Sequence, residues 1–71
     1  MSQCMRVLNR LRTGPLTAYE AIRELSVGRL AARIEELRNK GHDIHTEQVE
    51  SVNVYGDATR YGRYHLVKEA Q

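Results

Sequence analysis

The spacing of apolar residues changes once along this chain, from a helical period to a strand period near residue 43. Cys4, Leu8 and Leu11 recur at i, i+4 and i+7, with Val7 beside them, so a first amphipathic helix is predicted over residues 2–12. Ser2 can cap its start, and Gly14-Pro15 stops it. Leu16 follows as a lone apolar residue in an extended step, of the kind that adds a short strand to a sheet edge. Thr17-Ala18-Tyr19-Glu20 reads as a capping box, with hydroxyl and carboxylate exchanging hydrogen bonds with each other's amides. Ala18, Ala21, Ile22 and Leu25 then make the apolar face of a helix about two turns long, which must be held by packing. Tyr19 is expected in the core near the helix junction.

Ser26-Val27-Gly28 reads as a turn, with Ser26 capping the next helix, Val27 plugging the angle and Gly28 relaxing the backbone. A third helix runs to about Lys40. Leu30, Ile34 and Leu37 form its buried stripe, with Ala31 alongside, while Arg29, Ala32, Arg33 and Glu36 face outward. Gly41 supplies the terminating glycine. From Ile44 through Val49, Val52 and Val54 to Tyr55 the chain reads as extended, with Val52 and Val54 on one face. Gly56-Asp57 is the expected hairpin tip. Arg60 to Val67 returns, with Tyr64 and Leu66 on the core face and Arg63 and His65 on the other; residues 68–71 read as a frayed tail. The expectation is therefore an α+β fold, three helices followed by a β-hairpin, in a single domain over residues 1–71.

Composition narrows the class. At 71 residues the chain lies near the lower limit for a core that folds without disulfides or metal. No apolar run approaches the ~20 residues of a membrane span. The first residues lack the apolar stretch of a secretory signal. The one cysteine, Cys4, has no internal disulfide partner, and a reducing cytoplasm is the expected location.

The net charge of +2 hides an uneven distribution. Residues 1–16 carry Arg6, Arg10 and Arg12 and no acid, whereas residues 41–57 carry Asp43, Glu47, Glu50 and Asp57 and no cation. The cations are mostly arginine, which suits bidentate contact with phosphate or guanine and is also common in protein interfaces.

Chemistry beyond binding finds little support. A nucleophile with its base, a carboxylate pair in a cleft and a phosphate loop are all missing from the sequence pattern, and a chain this small has little room for a substrate pocket. No enzyme activity and no cofactor are expected. His42 and His45, with His65 and Cys4 elsewhere, are too sparse for a zinc site, so no metal is expected. Cys4 reads as a small apolar residue of the first helix.

A short helix, a tight turn and a longer helix with outward arginines form a helix-turn-helix over residues 17–40, whose second helix can enter a major groove. The segment Thr17-Ala18-Tyr19-Glu20-Ala21, the run from Arg29-Leu30-Ala31-Ala32-Arg33-Ile34 to Gly41-His42, and Arg60-Tyr61-Gly62-Arg63-Tyr64 resemble the small winged helix-turn-helix domains of bacteriophage and prophage proteins. The resemblance covers about residues 15–67. It implies a winged helix-turn-helix fold and binding of duplex DNA by a transcriptional regulator or excisionase-like factor. It places recognition on Ser26, Arg29 and Arg33 and wing contacts on Arg60 and Arg63.

Arg6, Arg10 and Arg12 form a candidate second basic patch, and ordinary solvated surface is the competing reading for all of these cations. Tyr55 and Tyr61 could stack on a partner, while Tyr64 is better placed in the core. The acidic strand before the wing tip repels phosphate. It motivates an alternative, a small phage protein that binds a subunit of host RNA polymerase and inhibits or redirects host transcription. Either a monomer or a homodimer, joined through the hairpin or the first helix, fits the sequence.

Overall fold

The computed structural model describes residues 2–70. The chain order is α1 (Gln3–Leu11), β1 (Leu16–Thr17), α2 (Ala18–Leu25), α3 (Leu30–Asn39), β2 (Asp43–Val52) and β3 (Ala58–Lys68). Three strands form one antiparallel sheet in the order β1-β3-β2. The isolated apolar Leu16 does form the predicted short strand, pairing with Tyr64 while Thr17 pairs with Arg63.

Three helix boundaries have a clear chemical cause. The Ser2 hydroxyl accepts the Met5 amide at 3.2 Å and starts α1. At α2 the capping box is complete: the Glu20 amide donates to the Thr17 hydroxyl at 3.2 Å, and the Thr17 amide donates to the Glu20 carboxylate at 3.0 Å. At the end of α3, the His42 amide reaches the Leu37 carbonyl and the Gly41 amide that of Arg38, with Gly41 at φ +99°. That is the pair of bonds of a Schellman termination, whose left-handed residue favours glycine.

The turn between α2 and α3 differs from the sequence expectation. Ser26 does not cap α3. It ends α2 in the left-handed conformation, φ 57°, with the Val27 amide on the Ala21 carbonyl. Gly28 has no left-handed φ, so the strained position is one occupied by a serine. Arg29 stands at the N-cap of α3 without a side-chain capping bond. Val27 is fully buried, as the plug between the two helices.

The core unites Val7, Leu8 and Leu11 of α1, Leu16 of β1, Ala21 of α2, Leu30, Ile34 and Leu37 of α3, Val27 and Ile44, with Leu25, Tyr64 and Leu66 packed against it. Three expectations fail on α2. Tyr19 is 68% exposed and Ile22 56% exposed, and Ala18 is exposed too. The helix has only eight residues, and Ala21 alone is fully buried, so the core closes along a narrower stripe than four apolar positions suggest.

The hairpin is also corrected. Strand β2 ends at Val52, so Val54 and Tyr55 lie in the loop. The Gly56 amide donates to the Asn53 carbonyl and the Asn53 amide to the Asp57 carbonyl, with Gly56 at φ +83°. This is a turn followed by a left-handed glycine, the usual three-residue hairpin loop. The Asn53 side chain also accepts the Tyr55 and Asp57 amides at 2.9 and 3.1 Å, so the tip is internally braced. The expected frayed tail is tied down as far as it is described. Arg12 and Glu69 form an ion pair, and the Ala70 amide donates to His42 Nδ1 at 3.0 Å; Gln71 lies outside the described residues.

Candidate nucleic-acid interface

Helices α2 and α3 meet through Val27, and the residues around this junction carry cations of very different availability. Arg29 is exposed at the start of α3, and Arg23 is exposed on α2. Among the described residues, neither side chain has a hydrogen-bond or ion-pair partner. Ser26 is exposed beside them. Arg6 of α1 approaches the same corner, its Nη1 lying 3.5 Å from the Leu25 carbonyl at the end of α2, where a cation complements the helix dipole. Arg6, Ser26 and Arg29 thus cluster at the α2–α3 turn, with Arg23 in the last turn of α2 before it. The signal for Arg23 in the sequence is a cation late in α2, directly before the turn.

Arg33 is placed otherwise. The sequence expects it outward, yet its side chain is only 26% exposed. Nη1 donates to Gln3 Oε1 at 3.0 Å, Nη2 donates to Glu36 Oε1 at 2.9 Å, and Nε is buried without a partner. Arg33 binds α3 to α1. Glu36 in turn accepts the Cys4 thiol at 2.6 Å. That bond, helped by Arg33 and Lys40, holds the Glu36 carboxyl below the usual carboxylate range. Burial, and then the facing Glu36, push the Cys4 thiol up, so it stays protonated at neutral pH.

The second basic patch divides as well. Arg10 is bound to Glu24 at 3.0 Å, lies 3.7 Å from Glu20, and also donates to the Gly14 carbonyl. Arg12 is committed to Glu69 and to Asn9. Only Arg6 lacks an acidic partner among the described residues. The patch is largely a set of braces between elements.

On the wing the acids and cations cancel in place. Arg60 lies 3.0 Å from Glu50 across the hairpin. Glu47 accepts His65 Nε2 at 2.8 Å and lies 3.5 Å from Arg63, and the bond to His65 is the first cause of its lowered pKa. The expected wing contacts Arg60 and Arg63 are thus engaged with the acidic strand that seemed to oppose them. The wing also exposes apolar side chains at its tip: Val54 is 93% and Tyr55 87% exposed.

Among the described residues no group of three or more histidine, cysteine or carboxylate side chains could hold a metal ion, and no helix is long and apolar enough to cross a membrane. No curated protein and no solved structure matches the chain. A family model described as a winged helix-turn-helix domain matches residues 2–69. With its three helices, three-stranded antiparallel sheet and protruding hairpin, the chain belongs to the winged helix-turn-helix family.

Proposed function

We propose that this protein is a cytoplasmic regulator of phage or prophage type that binds duplex DNA with the start of α3 in the major groove. The observation that carries the reading is the availability of Arg29. It sits at the N-cap of α3, unpaired among the described residues, where the first-turn amides receive no side-chain cap. A helix start of this kind offers amides to phosphate and a guanidinium to a base edge or backbone. Arg23, Ser26 and Arg6 extend the surface toward the flanking phosphates. Arg33 contributes by holding α3 against α1, not by free reach. The protein acts by binding, without a cofactor and without catalysis.

The charge split that favours host RNA polymerase as the partner loses much of its force. Glu47 and Glu50 face Arg63, His65 and Arg60 at ion-pair distance, so the acidic strand is largely offset by the cations of its neighbour.

The test is titration of a labelled mixed-sequence duplex at low and at moderate salt. Binding that weakens steeply with salt supports the reading, because phosphate contacts release counterions. Failure to bind at low salt, with recovery of RNA polymerase subunits from host lysate, would replace it with the protein-binding alternative.

A further inference from the structure

His42 closes the Schellman turn at the end of α3, and its ring meets the chain again beyond β3. The Ala70 amide donates to His42 Nδ1 at 3.0 Å. A backbone amide nitrogen is a donor only, so Nδ1 must be the acceptor and carry no proton. The bond therefore selects the neutral ring with its proton on Nε2. A protonated imidazole carries hydrogen on both nitrogens, and the Ala70 N–H would then point at another N–H. Protonation of His42 and this hydrogen bond exclude each other.

The segment held by the bond lies across the turn. A β-carbon added to Gly41 would meet that of Ala70 at 3.4 Å, so the two residues pack closely. One residue earlier, Glu69 is paired with Arg12 at the end of α1. Arg12 first, and His42 after it, hold the Glu69 carboxyl below the usual carboxylate range, so Glu69 keeps its charge in the range where imidazoles titrate. The other charged groups at the turn are Lys40, which caps α3, and Asp43 and Lys68, which stand opposite each other where β2 begins and β3 ends.

We propose that His42 is an acid-operated clasp. Neutral, it accepts the Ala70 amide and closes the segment after β3 over the end of α3. Protonated, it releases the amide and turns to the Glu69 carboxylate. One proton is taken up at Nδ1, one hydrogen bond is lost, and Glu69 then serves two cations, Arg12 and His42. The open form is held by charge alone, which salt screens, so Ala70 loses its fixed seat on Gly41.

This inference is independent of DNA and is tested without it, by nuclear magnetic resonance on the whole chain. A nitrogen–nitrogen coupling through the hydrogen bond should join the Ala70 amide to His42 Nδ1 at about pH 8, with the ring proton on Nε2, and should vanish by about pH 5. Over the same range the Ala70 amide should lose its protection and exchange at the rate of an unfolded chain. His42→Asn offers a neutral oxygen near the place of Nδ1 and has no proton to gain, so Ala70 should stay protected at both pH values. His42→Phe offers no acceptor, and Ala70 should be unprotected at both. His45 and His65 on the sheet remain in both variants and serve as the internal control. Should either variant not fold, the coupling in the unaltered chain decides. A proton on Nδ1 at the higher pH overturns the proposal. So does an Ala70 amide that is unchanged while His42 titrates, or a His42→Asn protein that still loses Ala70 protection in acid.

Discussion

Arg33 on α3 donates from Nη1 to the side-chain oxygen of Gln3 on α1, at 3.0 Å. A residue in the expected reading position is therefore a tie between helices. Arg29→Ala should weaken DNA binding about tenfold or more, the scale of one lost charged contact of ~1–3 kcal/mol. Arg33→Ala should lower the melting temperature and change affinity less once the folded fraction is accounted for. Fluorescence anisotropy and thermal denaturation on the same samples separate the two effects.

Thr17→Ala removes the acceptor for the Glu20 amide and should cost about 1 kcal/mol, the usual loss for an N-cap. Chemical denaturation at neutral pH measures it. In a domain of this size that is a large fraction of the total stability.

The same box makes stability depend on pH. Glu20 is held below the ordinary carboxylate range, first by the Thr17 amide, then by the Thr17 hydroxyl and by Arg10. A carboxyl whose pKa is lower when folded stabilises the fold above its unfolded value of about 4.3 and loses that contribution as pH falls through the folded value. Glu47, lowered chiefly by His65, and Glu69, lowered chiefly by Arg12, act in the same direction. The urea midpoint should fall between about pH 5 and pH 3. Glu20→Gln, which keeps an acceptor for the Thr17 amide, should flatten that fall.

Ser26 occupies a left-handed conformation that a β-carbon resists. Ser26→Gly should leave stability unchanged or raise it by up to about 1 kcal/mol. Gly28→Ala should be tolerated, since nothing lies within 4 Å of the added carbon and φ is not left-handed. Thermal melts of both variants check the assignment, and a large loss in Gly28→Ala would contradict it.

Ile34→Ala empties a fully buried position of α3. A loss of ~2–5 kcal/mol is expected for such a truncation, enough to unfold most of the population of a small domain. The loss of near-ultraviolet signal and of amide dispersion would report it.

The sequence makes the helices legible because their determinants are local. Thr17 and Glu20 announce the start of α2, Gly41 announces the end of α3, and the stripe of Leu30, Ile34 and Leu37 appears at its proper spacing. Even the two-residue strand at Leu16 follows from one apolar residue in an extended step. What stays hidden depends on partners far along the chain. Arg12 and Glu69 are 57 positions apart and Cys4 and Glu36 are 32 apart, and no periodicity connects them. For the same reason the wing looks acidic on one strand and basic on the other until the register sets Glu50 beside Arg60. Tyr19 and Ile22 mislead because apolar spacing gives the direction of a face but not how much of a short helix the core can cover.

Thr17 belongs to two elements at once: it ends β1 in register with Arg63 and it caps α2. No residue separates that strand from that helix, so the junction contains no slack. The strand that pairs with β3 and the first turn of α2 thus share one threonine, with no linker residue between sheet and helix.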